Sequence, residues 1–358
     1  MLLSDIYLWL SYSRVSTFKL NKILEVVSPQ ALWESFADSD KFNVYKLDDK
    51  TFNALKRTRS ADFSERAKQY LKINNIEYVT RADPAYPGAL DQREVGPPPV
   101  LYYKGDLSIL RSPCLAVVGT RRASAYGKYF AERVVGELAR SFTIVSGLAT
   151  GIDGYAHSAA LAAGGKTVAV LGSGLFNPTP ASNHKLFDEI CESGLVMSEY
   201  TPDTHATDYT FPQRNRIISG VSKGVLVVEA AQKSGALITA DCALEQGRDV
   251  FAVPGDIDKL RSQGTNNLLK QGGIPVTCAK DVTDYYGMSA PENKKAKQVA
   301  LDFSQERVMT LLSDGEKSFD ALVEACGMTV PELNSALSSL IIFGLVRERS
   351  KNIYCITK

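Results

Sequence analysis

Three short stretches set residues able to do chemistry beside turns that could present them. In Gly119-Thr120-Arg121-Arg122 a glycine turn follows an apolar run, and Ala123-Ser124-Ala125-Tyr126-Gly127 opens a helix. Amides at such a turn form an anion site, and an arginine adds a bidentate donor suited to phosphate. The plainer reading is a tight turn with a surface arginine. Phe211-Pro212-Gln213-Arg214-Asn215-Arg216 holds two arginines two positions apart. On a helix they point to different sides, so one suits a phosphate and the other a carboxylate partner. Phe211 offers a face on which a base can stack, the alternative being a core phenylalanine with arginines in surface ion pairs. Ser234-Gly235, shortly after Glu229, begins another helix, and its N-terminus, lined by Lys233, is a second anion site.

Other patterns exclude chemistries. The turn at Gly119 is not G-x-G-x-x-G, so a nicotinamide cofactor is not indicated. Gly165-Lys166-Thr167 imitates the end of a phosphate loop, but Ala160 stands where the first glycine belongs and the segment leads from helix to strand. It reads as a helix stop. Gly172-Ser173-Gly174 lacks the spacing of a nucleophile elbow. Asp153 and His157, four apart, share a helix face and could be a catalytic pair, half of a metal site or a structural cap. Only His184 and His205 could add imidazole, and H-E-x-x-H is absent, so no metal and no cofactor are expected.

The elements that must position these residues follow from apolar periodicity. Short apolar runs at 115–118, 143–145, 167–171, 195–198, 225–228, 250–253 and 275–277 alternate with helical segments at 126–140, 153–163, 183–193 and 235–247. That alternation predicts an α/β fold built on a doubly wound, mostly parallel sheet. Ligands in such sheets lie beyond the carboxyl ends of the strands, where Gly119, Gly147, Gly151, Gly172, Gly174 and Gly255 fall. Residues 1–75 read as a small helical domain, with Ser28-Pro29 as an N-cap followed by proline at the first helical position. A proline-dense connector with strand-like 76–80 and 100–103 joins it to the sheet, giving a domain over 76–286. The polar, lysine-bearing 287–302 reads as a linker. Helical 304–312, 318–326 and 331–343, followed by a hairpin, predict a winged helix over 303–358.

The 358 residues carry 41 basic and 40 acidic side chains, so bulk charge does not advertise a polyanion partner and any such site must be local. Six cysteines lie far apart with no C-x-x-C, which disfavours zinc and disulfides and fits a reducing cytoplasm. The apolar start, MLLSDIYLWLSYS, is too short to span a membrane and carries Asp5 where a leader would be positive. It reads as a packed helix.

The segments VVGTRRASAYG, VSGLATGIDGYAHSAAL, TVAVLGSG, FPQRNRIISGVS, VVEAAQKSGALITADCALEQGRDVFAVPG and SQGTNNLLKQGG closely resemble, in order, the DNA-processing protein A family, also called Smf, of bacterial natural transformation. The resemblance implies an extended Rossmann-like domain that binds and protects single-stranded DNA and helps load the RecA recombinase, in a cytoplasmic homodimer without catalysis. It also implies a helical N-terminal domain of sterile-alpha-motif or helix-hairpin-helix type. The DNA site it implies comprises Gly119, Thr120, Arg121, Phe211, Arg214, Asn215, Arg216, Ser234, Gly235 and Thr239, to which the turn and the second helix N-terminus add Arg122 and Lys233. Gly147, Gly151, Asp153, His157, Gly174 and Glu229 are expected to shape the pocket. One departure is Thr179-Pro180-Ala181-Ser182-Asn183, where relatives usually carry tyrosine before the proline.

Two competing readings can be separated. A nucleoside-monophosphate hydrolase of related Rossmann type would use Glu229, but its P-G-G-x-G-T-x-x-E motif is absent. A purely structural RecA partner would leave the arginine motifs without a task. In the winged helix, the last helix, 331–340, has no lysine or arginine, and 303–358 carries six basic against seven acidic residues. Groove readers neutralise phosphates, so an auxiliary or protein-binding role is expected, with Arg347, Arg349 and Lys351 of the wing leaving room for weak duplex contact.

Overall fold

The computed structural model describes residues 2–36, 45, 47–60, 62–288, 301–350 and 352–356. The expected linker therefore lies mostly outside the described residues, as do Lys351 and Lys358. Two compact units are formed, Met1–Pro291 and Glu292–Lys358.

The first unit is organised by a nine-stranded sheet. Its strands are β1 (Glu77–Thr80), β2 (Val100–Gly105), β3 (Cys114–Val118), β4 (Thr143–Ser146), β5 (Thr167–Val170), β6 (Leu195–Ser198), β7 (Gly224–Val227), β8 (Asp249–Ala252) and β9 (Ile274–Pro275). They lie in the order β1-β2-β6-β5-β4-β3-β7-β8-β9. From β6 to β9 every pairing is parallel, while β1 and β2 add an antiparallel edge against β6. Chain order reverses between β3 and β7, which is where a doubly wound sheet opens a crevice.

Each central strand buries both faces. In β3, Cys114, Ala116 and Val118 join one cluster while Leu115 and Val117 join another, as the twofold strand period requires. One face is covered by α6 (Ala125–Phe130), continued through a π segment at Ala131–Val135 into α7 (Gly136–Leu138), together with α8 (Ile152–Ala162) and α13 (Ala279–Tyr285). The other is covered by α10 (Thr210–Gly220), α11 (Gly235–Glu245) and α12 (Gln263–Lys270). α9 (His184–Ser193) packs towards the antiparallel edge through Phe187 and Ile190.

Among the described residues, five N-terminal helices precede the sheet: α1 (Leu3–Tyr12), α2 (Thr17–Leu24), α3 (Pro29–Ser35), α4 (Asp49–Thr58) and α5 (Phe63–Ile73). Ser28 caps α3, its hydroxyl accepting from the Ala31 amide at 3.2 Å. α4 carries a short apolar stripe, Phe52 and Leu55, among polar residues, and begins where Asp48 accepts from the Thr51 amide at 2.9 Å. Among the described residues, the helices expected to form a small domain over 1–75 do not enclose a core separate from the sheet. Leu8, Trp9, Leu32, Leu55 and Leu71 share one cluster with Val100 and Tyr102 of β2, Ala169 of β5 and Val196 of β6.

The second unit is a winged helix: α14 (Phe303–Ser313), β10 (Lys317–Ser318), α15 (Phe319–Cys326), α16 (Val330–Ile342), β11 (Val346–Ser350) and β12 (Ile353–Ile356), with sheet order β10-β12-β11. A capping box starts α16, the Glu332 carboxylate accepting from the Thr329 amide at 2.8 Å. Of the wing cations, Arg349 pairs with Glu316 at 2.5 Å. Among the described residues, no helix is long and apolar enough to cross a membrane.

Candidate nucleic-acid interface

At the reversal point the ends of β3 and β7 are tied together. The Val228 amide donates to the Val118 carbonyl at 3.0 Å, and the Thr120 amide to the Glu229 carbonyl at 2.8 Å. The turn from β3 then passes so close to the start of α8 that only glycine fits at 151. Its φ is +79°, and an added Cβ would come within 2.7 Å of the Arg121 carbonyl carbon.

The helix N-terminus behind this turn is not open to a ligand. The carboxylate of Glu229, a residue only 5% exposed, occupies it: one oxygen accepts from the Ser124 amide at 2.9 Å and the other from the Ser124 hydroxyl. Ser124 in turn caps α6, accepting from the Gly127 amide at 3.1 Å. An internal anion thus fills the site expected for phosphate, and the stretch 119–127 presents its side chains instead.

Arg214 was expected to grip phosphate, but the structure corrects this. It is 4% exposed, and its Nη1 donates to the Gly147 carbonyl at 2.8 Å and to the Val170 carbonyl, joining the segments that follow β4 and end β5. Its Nε donates to Asn215 Oδ1 at 3.2 Å. Gly147 is small because of this arginine: a Cβ there would lie 2.5 Å from the guanidinium. Burial lowers the Arg214 pKa to about 10. Asp153 is buried nearby and accepts from the Gly147 amide at 3.1 Å. Burial raises its pKa, opposed by the charge of Arg214.

His157 is fully buried. Thr167 gives its hydroxyl proton to the Ile144 carbonyl at 2.8 Å, so its oxygen accepts from His157 Nδ1 at 2.7 Å. The imidazole is neutral, its pKa lowered to about 3 by burial and then by Arg214. Asp153 and His157 thus form part of an internal scaffold. Among the described residues, no group of His, Cys, Asp or Glu is placed to hold a metal ion.

Arg216 is the arginine of the pair that has the expected carboxylate partner, which places it outside the expected DNA site. It leaves the other side of α10, and its Nη2 donates to Glu199 at 2.6 Å, a carboxylate that also accepts from the Thr17 hydroxyl at 2.5 Å. It faces a different cleft, bordered by α2.

An outer layer remains available. A cleft of about 270 Å³ is lined by Gly119, Arg121, Phe211, Arg214, Asn215, Ser234, Gly235 and Thr239. Arg121 is exposed and lays its guanidinium over the Phe211 ring, 5.0 Å from the centroid. Phe211 rests against Gly172, where a Cβ would come within 2.9 Å of the ring. Across the cleft stands the N-terminus of α11, capped by Ser234, whose hydroxyl accepts from the Ala236 amide at 3.3 Å. Gly235 has open space around it. Asn215 holds this terminus to α10, donating to the Gly235 carbonyl at 3.3 Å.

Several expected residues stand apart. Lys233 is exposed beyond the lining, Thr120 braces the turn, Arg122 opens onto a neighbouring groove, and Gly174 packs on the main chain of Thr201 and Pro202. The cleft also takes in Ala149, Asp208, Pro212, Ala236 and Ile238, which sequence reasoning missed. Of these, Pro212 and Ala236 lie inside or beside motifs already singled out, whereas Asp208 has no sequence signal.

Residues 77–287 match the model of the DNA recombination-mediator protein A family, and residues 292–350 match the DprA winged helix domain. Protein Smf of Escherichia coli is 43% identical over 70% of this chain and 69% of its own length. The DNA processing protein DprA of Streptococcus pneumoniae is 43% identical over 64% of this chain and 79% of its own. The solved structure of the pneumococcal protein superposes with a TM-score of 0.68 at 36% identity, covering 79% of this chain and 98% of that one. For DNA processing protein A of Helicobacter pylori the TM-score is 0.53 at 30% identity, covering 59% and 95%.

Proposed function

Because the chain belongs to the DNA recombination-mediator protein A family, we propose that its cleft binds single-stranded DNA without sequence preference, in DNA processing during natural transformation. The observation that carries this reading is the exposed Arg121 guanidinium over Phe211, facing the α11 N-terminus. Phosphate oxygens suit the guanidinium and the helix terminus, while the Phe211 ring supplies a stacking surface that accepts any base. The Helicobacter pylori relative is described for its single-stranded DNA binding mode. On this reading the protein acts by binding, not by catalysis, as a homodimer that hands its strand to RecA.

Fluorescence anisotropy with labelled oligo-dT across a salt series tests it. Arg121→Ala should weaken binding about tenfold and flatten the salt slope by about 0.7 for one lost phosphate contact. Unchanged affinity and slope would sink the proposed cleft.

A further inference from the structure

The cleft has two possible exits, and they differ in charge. Across the first turn of α10, sharing Pro212 with the cleft, lies a groove of about 1040 Å³. Its four cations, Lys22, Arg81, Arg93 and Arg216, are matched by Glu25, Asp91, Glu94 and Glu245 along the same walls. Three of those cations are already paired: Arg81 with Asp91 at 2.9 Å, Arg93 with Glu25 at 3.4 Å and Arg216 with Glu199 at 2.6 Å. A polyanion gains little there.

The other exit shares Arg121 and opens into a groove of about 610 Å³ between the turn after β3 and helices α8 and α9. Arg121, Arg122 and Lys185 line it against a single acid, Glu189. Lys185 lies 3.6 Å from Glu189, but its side chain is 92% exposed, and a surface pair of that kind holds a lysine only weakly. The exposed hydroxyls of Thr150, Ser158 and Ser182 add partners for sugar and phosphate oxygens. Asn183 braces the wall between cleft and groove, its amide donating to the Leu148 carbonyl at 3.0 Å and the Ala149 carbonyl at 3.1 Å.

Resting on the single-strand reading above, we propose that the strand leaves the cleft over Arg121 and runs along the α8–α9 groove, where Arg122 and Lys185 neutralise its next phosphates. Arg121 then sits at the junction of two subsites, and Asn183 is a positioning residue that holds their shared wall.

The test uses the full chain with two labelled oligo-dT lengths, about four and about fifteen nucleotides, spanning most of the range of site sizes of single-strand grooves. Lys185→Glu should weaken the longer oligonucleotide about tenfold, leave the shorter within twofold and flatten only the longer one's salt slope. Arg121→Ala should weaken both. Lys22→Glu, in the neutral groove, should change neither. If Lys185→Glu and Lys185→Ala bind both lengths like the parent while Arg121→Ala weakens both, the α8–α9 path is wrong and the cleft stands. If Lys22→Glu selectively weakens the longer strand instead, the strand takes the other exit. If Arg121→Ala changes neither length, the underlying reading fails.

Discussion

Two layers of polar residues meet at the carboxyl ends of β3 and β7, and they treat their hydrogen-bonding capacity in opposite ways. The inner layer, Glu229, Asp153, His157 and Arg214, directs its groups at neighbouring backbone and hydroxyls. The outer layer, Arg121, Phe211 and the start of α11, points into open space. Both contain a helix N-terminus that looks like an anion site in sequence. The difference lies in whether the fold supplies its own anion. At α6 it does, through Glu229; at α11 the terminus borders a cleft.

This contrast is breakable at each layer. The largest effect is expected from Arg214→Ala, which strands the Gly147 and Val170 carbonyls and removes the charge beside Asp153. It should cost about 3 kcal/mol or more of stability in urea denaturation. A loss under 1 kcal/mol would show that the inner layer is not structural. Glu229→Ala should cost about 2 kcal/mol by leaving the Ser124 amide unpaired, and sulfate or phosphate should restore part of it by entering the vacated site. Absence of any anion rescue would mean that the α6 terminus never was an anion site. The smallest effect falls on the outer layer. Gly235→Asp meets no steric obstacle, so a carboxylate there should leave stability unchanged or slightly raised while weakening oligo-dT roughly tenfold, about 1.4 kcal/mol. Equal binding would separate the α11 terminus from the strand.

What could be read from the sequence follows the same division. The strands of the parallel sheet were legible because both their faces are buried, leaving near-continuous apolar runs such as Leu195–Ser198. The opposed directions of Arg214 and Arg216 followed from helical spacing alone. What each one touches did not, because Gly147, Val170 and Glu199 come from elsewhere in the chain. The filling of the α6 terminus was hidden for the same reason, since Glu229 is 105 positions from Ser124. The antiparallel edge escaped notice because β2 pairs with a strand that follows it by some ninety residues. Helix α4 has an apolar side, but only Phe52, Ala54 and Leu55 mark it among seven polar residues, so its stripe is short. Arg121 and Phe211 were found because a turn and a motif mark them locally; Asp208 was not, since its position depends on how α10 is presented.

The core shared by the N-terminal helices and the sheet also bears on how the chain is made. Synthesis releases Leu8, Trp9 and Leu71 long before Val196, which they need to complete one cluster. At ~5–20 residues per second the intervening stretch takes roughly 6–25 s to emerge. For that interval the cluster that the N-terminal helices share with the sheet is only partly assembled, held first by Val100 and Tyr102 of β2 and closed later by β5 and β6.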